Sequence, residues 1–265
     1  AADRARDAID AASRRAERLF ERWARLALGR ALCSLGEWDE AVAEVESVLE
    51  QLPPFHMTMA VAPLAVIALG RGQDDRVREL VDMHDRRTSG ATTSVFESDF
   101  RMLRSASIVI GRGGSATELA QLVSGAEVDD YAEWTGWLAP IVDRLVAEPM
   151  TEPLETALAA LRTGGEMKQT PPVRAQAARL EAHVAARAGD HAQAAACWER
   201  GHQLATECGM AFEAAVIALE GAEHATAARR DINRAELAVA RATFERLGAA
   251  PWLERTAQAP DPQAD

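Results

Sequence analysis

Apolar residues recur three and four positions apart along nearly the whole chain, in stretches broken by glycine, proline or short polar runs. Nowhere do they alternate in the two-residue manner of a half-buried strand. The clearest stretch runs Leu28-Gly29-Arg30-Ala31-Leu32-Cys33-Ser34-Leu35-Gly36-Glu37-Trp38-Asp39-Glu40-Ala41, continues through Val42, Val45, Val48 and Leu49, and closes at Pro53. It predicts two antiparallel helices joined at Gly36, with the small residues Gly29 and Ala41 where they touch and Trp38 wedged at the start of the second.

Weaker copies of this pair fill the chain. Residues 3–20 carry an alanine-rich helical face, which is either the second half of a preceding pair or the start of one long helix into Leu35. A second pair turns at Gly70-Arg71-Gly72; its first helix is apolar on all sides, which places it between neighbours or along a groove. Further pairs turn near Gly113, Pro149, Gly189 and Arg230, so that successive turns from Gly36 are 36, 41, 36, 40 and 41 residues apart. That near-regular period predicts an all-α, right-handed superhelical solenoid of about six hairpins, each burying its faces against its neighbours. Residues 1–257 form the solenoid in this reading, with a hinge at 163–172 where Gly164-Gly165 and Pro171-Pro172 interrupt helix, and residues 258–265 are a disordered tail.

Composition narrows the partners. The 265 residues carry a formal net charge of −12, against the basic excess expected of a nucleic-acid binder. No apolar run approaches the ~20 residues of a membrane span and no signal-peptide pattern opens the chain, so the expected location is cytoplasmic. Cys33, Cys197 and Cys208 are too few and scattered for a disulfide framework and are expected as reduced thiols. Lys168 is the only lysine; with abundant arginine and alanine it points to a GC-rich bacterial genome.

Leu28, Gly29, Gly36, Trp38, Ala41, Val45 and Pro53 together resemble a tetratricopeptide repeat, and Gly189-Asp190 with Ala194 keeps part of that pattern. The run Ala242-Thr243-Phe244-Glu245-Arg246-Leu247-Gly248-Ala249-Ala250-Pro251-Trp252-Leu253-Glu254-Arg255 resembles the end of the helical-repeat region in bacterial LuxR-type ATPase regulators and multidomain class III adenylate cyclases. The resemblance implies a sensory or interaction segment. It imports no ATPase or cyclase activity, since the chain carries no Walker A loop, cyclase domain or helix-turn-helix.

On a concave surface made by the first helices of the pairs, Gln176, Arg179, His183 and Arg187 would share one helix face, with Glu220 and His224 on the next pair and Arg30 on the first. Such an Arg/His stripe can receive a carboxylate or phosphate, and replacing Arg179 and Arg187 would then weaken an acidic ligand without unfolding the protein. The competing reading is a solvated helix face. Trp134 and Trp137 offer an aromatic patch, or core packing between hairpins. Gly111-Arg112-Gly113-Gly114-Ser115-Ala116, with Asp129 and Asp130 further on, matches a dinucleotide-binding loop in spacing but follows a helical rather than a strand-like run. The six histidines show no metal-ligand spacing, no nucleophile motif occurs, and no cofactor is implied. The reading is therefore a non-catalytic scaffold for a protein, peptide or small effector, with anion or nucleotide binding and structural homo-oligomerisation as the alternatives.

Overall fold

The structure, a computed structural model, describes residues 1–88, 104–109, 113–125, 137–163, 169–228 and 233–258. All regular structure among them is helical. The first half comprises α1 (Ala2–Arg14), α2 (Arg18–Leu35), α3 (Trp38–Leu49), a single 3-10 turn (Pro54–His56), α4 (Met57–Gly70), α5 (Asp74–Thr88), a helical turn at 104–109 and α6 (Ala116–Ser124). The second half comprises α7 (Leu138–Val146), α8 (Glu152–Thr163), α9 (Pro171–Arg187), α10 (His191–Glu207), α11 (Ala211–Ala227), α12 (Arg234–Leu247) and α13 (Ala250–Gln258). Successive helices pack on one another in chain order, most extensively α9 on α10, α1 on α2, α10 on α11 and α2 on α3.

The chain breaks between α1 and α2, where Ala16 takes a positive φ of 58°, so residues 3–20 do not run on as one long helix. At Gly36 the φ of 77° ends α2 in a left-handed cap whose N–H groups, with that of Glu37, satisfy the last carbonyls of the helix. Trp38 then starts α3 and sends its indole N–H back to the Cys33 carbonyl, 3.2 Å away, which locks the turn. A Cβ added at Gly29 would come 2.3 Å from Val45 Cγ2, so α2 and α3 meet where a glycine lets them approach. The apolar helix α4 lies between neighbours, with eleven of its residues buried against α2, α3, α5 and α13.

The expected open concave wall is closed by the chain itself. Helix α11 packs against α2, and α13 against α4. Arg246 donates to the Gly36 carbonyl (2.7 Å), Arg71 donates to the Leu247 carbonyl (3.1 Å), and Phe212 sits 4.9 Å from Trp38 between ring centroids. Phe212 also contacts Phe244 and Trp252, so one aromatic cluster ties the last hairpin to the first. The turn that opens the chain's first clear hairpin is therefore capped by its last, which removes the inner face from solvent. Gln258 belongs to α13; residues 259–265, most of the segment expected as a tail, and 164–168, the middle of the expected hinge, lie outside the described residues.

Gly29→Ala should lower stability by about 1–3 kcal/mol through overpacking against Val45. In a Val45→Ala background the same substitution should cost clearly less, as read by urea denaturation of the four proteins. Equal costs in both backgrounds would mean that the α2/α3 crossing is not where the structure puts it.

Candidate functional site

The residues expected on an open stripe converge instead on a buried ionic centre. Arg179, on α9, is 1% exposed, and Gln176 one turn earlier is equally buried. The Arg179 guanidinium donates through Nε to Glu220 Oε2 on α11 (2.7 Å) and through Nη2 to both Glu220 Oε1 and Asp143 Oδ1 on α7. Glu220 is 3% exposed and lies 3.1 Å from His183 Nε2. Burial opposes ionisation of Glu220, but Arg179 and then His183 outweigh it and hold the carboxyl well below the usual carboxylate range. Burial likewise opposes the charge on Arg179, and Glu220 and Asp143 more than restore it. With its Nε and Nη2 donors committed to carboxylates and its side chain 1% exposed, Arg179 is not presented to an incoming anion.

Arg187 is also committed. Its guanidinium donates to the carbonyls of Val146 (2.9 Å), Glu148 (2.7 Å) and Met150 (2.7 Å), so it caps the C-terminus of α7 and stands at the negative end of its dipole. Arg30 is half-buried on α2, one turn from Cys33. The Cys33 thiol is pushed up by burial and then by Glu213 across the seam, against the opposing effect of Arg30. His224 is half-buried and packs face-tilted on Trp198, 4.6 Å between centroids. Arg179, His183 and Glu220 are thus brought together, whereas Arg30, Arg187 and His224 go to other tasks. The solvated helix face fails for Arg179 as well, since its guanidinium is buried and its ion pairs run between helices.

Trp137 is 1% exposed and cannot form a recognition patch; it lines a small space between α4, α5 and Ala106 as core. Trp134 lies outside the described residues, as do Gly111 and Arg112. The residues preceding that loop are helical at 104–109, where a dinucleotide site would need a strand. Gly113 and Gly114 adopt positive φ, and Ser115 caps α6 by accepting from the Glu118 N–H. This is the behaviour of a tight turn between helices. Among the described residues no cluster of three His, Cys, Asp or Glu is arranged to hold a metal ion, and no helix is long and apolar enough to cross a membrane.

Two features escape reading from the sequence. The first is Glu213, on α11, whose Oε2 is buried without a hydrogen-bond partner and whose carboxyl is pushed up from 4.5 to about 7, chiefly by burial and further by Asp143, against the pull of a backbone N–H and Arg179. The second is a groove over α11, walled by α10 and α12. Its apolar half is a cavity of about 410 Å³ lined by Met210, Ala211, Ala214, Ala215, Val239 and Ala240; its polar half, about 260 Å³, is lined by Trp198, Glu199, His202, His224, Asn233 and Glu236. His202 and Glu236 line both halves and face each other at 3.8 Å across the groove. The ionic centre and the groove each leave a signal in the sequence. Asp143 and Glu220 stand 36 residues before and 41 after Arg179, one hairpin interval each way, and Ala211, Ala214, Ala215, Ala218, Ala222 and Ala225 form a small-residue stripe along α11.

No protein-family model matches the chain, and no curated protein or solved structure shows significant similarity to it. What fold and site define is a class: a protein of neighbour-packed helices, all-helical among the described residues, with an interhelical ionic centre around a buried arginine and a groove between two outer helices.

Two outcomes follow. Arg179→Ala leaves Glu220 buried with only His183 beside it and should cost about 3–5 kcal/mol, whereas Arg179→Met combined with Glu220→Met should recover much of that loss in urea melts. A mild Arg179→Ala would place the guanidinium in solvent. Glu213 is protonated below its unfolded value in both states, and as pH rises from about 4.5 to 7 the unfolded chain ionises first, so stability falls through that window by about 3 kcal/mol. Glu213→Gln should abolish this decline between pH 5 and pH 8; an unchanged slope would show that Glu213 is not the group responsible.

Proposed function

We propose that the chain is a non-catalytic, tetratricopeptide-like binding module, a right-handed stack of about six hairpins, that docks a segment of a protein partner in the groove between α10 and α12. The observation that carries this reading is the groove itself: an alanine floor on α11 leaves two adjoining cavities between helices that elsewhere pack tightly. Val239, 66% exposed, stands on its rim and offers apolar surface. Helical grooves of this kind accept an extended or helical segment through spaced apolar side chains. The partner is a protein and no cofactor takes part.

The resemblance of Ala242–Arg255 to the end of the repeat region in bacterial signalling ATPases supports a sensory role in signalling or transcription control. In the fold this run forms the end of α12, the Gly248 turn and α13, with Phe244 and Trp252 in the cluster that closes the chain. An anion- or nucleotide-binding role finds less support, because Arg179 is buried against carboxylates and Arg187 is engaged by three backbone carbonyls.

Benzoylphenylalanine in place of Val239 should give one discrete photo-adduct in the cells the protein comes from. The adduct should disappear when Ala214→Met narrows the groove, and the same group in place of Asp39 on α3 should give none. Adduct formation at Val239 that ignores the groove-narrowing substitution would contradict the reading.

A further inference from the structure

The polar half of the groove has a chemistry of its own. Trp198 is 5% exposed, and its indole Nε1–H is buried without an acceptor, a vacancy that costs about 1–3 kcal/mol when nothing fills it. The Trp198 and His224 rings lie 4.6 Å apart at an interplanar angle of 38°, and Gly221 lets α11 pass close to Trp198: a Cβ there would come 3.4 Å from that of the tryptophan. Glu199 and Glu236 bring two carboxylates to the lining, and among the described residues that line it there is no lysine or arginine. Asn233 is occupied as the cap of α12, accepting from the Glu236 backbone N–H, while the Glu236 carboxylate lies 3.8 Å from His202 Nδ1. The whole chain adds a formal charge of −12.

Resting on the groove reading above, the geometry points to a basic residue of the docked segment as the occupant of this half. We propose that a lysine or arginine head group sits against the Trp198 and His224 rings between Glu199 and Glu236, while a backbone carbonyl of the same segment accepts from Trp198 Nε1–H. The aromatic faces attract a cation, the carboxylates fix its charge, and the carbonyl satisfies a donor that the folded chain leaves unmatched. An acidic or purely apolar side chain answers neither of the first two. The adjoining apolar cavity then receives a neighbouring aliphatic side chain, so the recognised segment is basic and apolar in alternation along one face.

The test uses the intact protein and N-acetyl-lysine N-methylamide as the probe, with the norleucine analogue, which has the same stem and no ammonium, as control. The indole N–H signal of Trp198 is identified by its loss in Trp198→Phe. It should move saturably with the lysine compound and not with norleucine. Glu199→Gln and Glu236→Gln, which leave the fold intact, should each weaken the response about two- to fivefold, the range of a partly exposed ion pair. Equal responses to lysine and norleucine, or carboxamide variants that bind as the parent does, would overturn the assignment. If the Val239 adduct still forms and depends on the groove, only the basic-residue inference falls; if neither is seen, the groove reading falls with it.

Discussion

A guanidinium taken out of water must be matched, or the helix that carries it cannot pack. Arg179 meets that constraint with two carboxylates, Asp143 from α7, two helices earlier, and Glu220 from α11, two helices later. This fixes α7, α9 and α11 in one relative position more tightly than apolar contact alone would. The choice of arginine follows from geometry: its planar fork reaches Glu220 and Asp143 at once, and a lysine ammonium has no such pair of parallel donors. Arg187, two turns on, ties α9 to the end of α7 by three carbonyls, so the same helix is pinned at two heights.

The seam between α11 and α2 completes the closure. Phe212 and Trp38 bring two aromatic rings together across the gap, and Arg246 and Arg71 satisfy carbonyls at the Gly36 and Gly248 turns. Surface that a curved wall would show to a ligand is in this way consumed by the fold. Recognition is displaced to the other side of α11, where α10 and α12 stand apart over alanines.

The hairpins were legible because their signals are local. The Gly36 turn, the Trp38 wedge and the all-apolar α4 are written in adjacent residues, and helical periodicity reads straight through to their packing. Gln176, Arg179, His183 and Arg187 stand at helical spacing along α9. What adjacency could not show is the neighbour of that face. Arg179 looks the same whether it lines a concave wall or meets Glu220, and only the recurrence of acids one hairpin away on either side distinguishes the two. Trp137 was ambiguous for the same reason: aromatic patches and aromatic cores have identical spacing along a helix. The groove was invisible because small residues in a helix usually mark close packing, whereas along α11 they mark a space the neighbouring helices leave open.

The claim on which the account turns is that the first and last hairpins seal the inner face. Spin labels at Glu37 beside the first turn and at Glu245 on α12 test it directly by pulsed dipolar spectroscopy. The account predicts a single narrow distribution at the short separation of two neighbouring helices, about 10 Å between axes plus the label linkers. A broad distribution at longer distance would mean that the hairpins form an open wall, with Arg179 within reach of solvent.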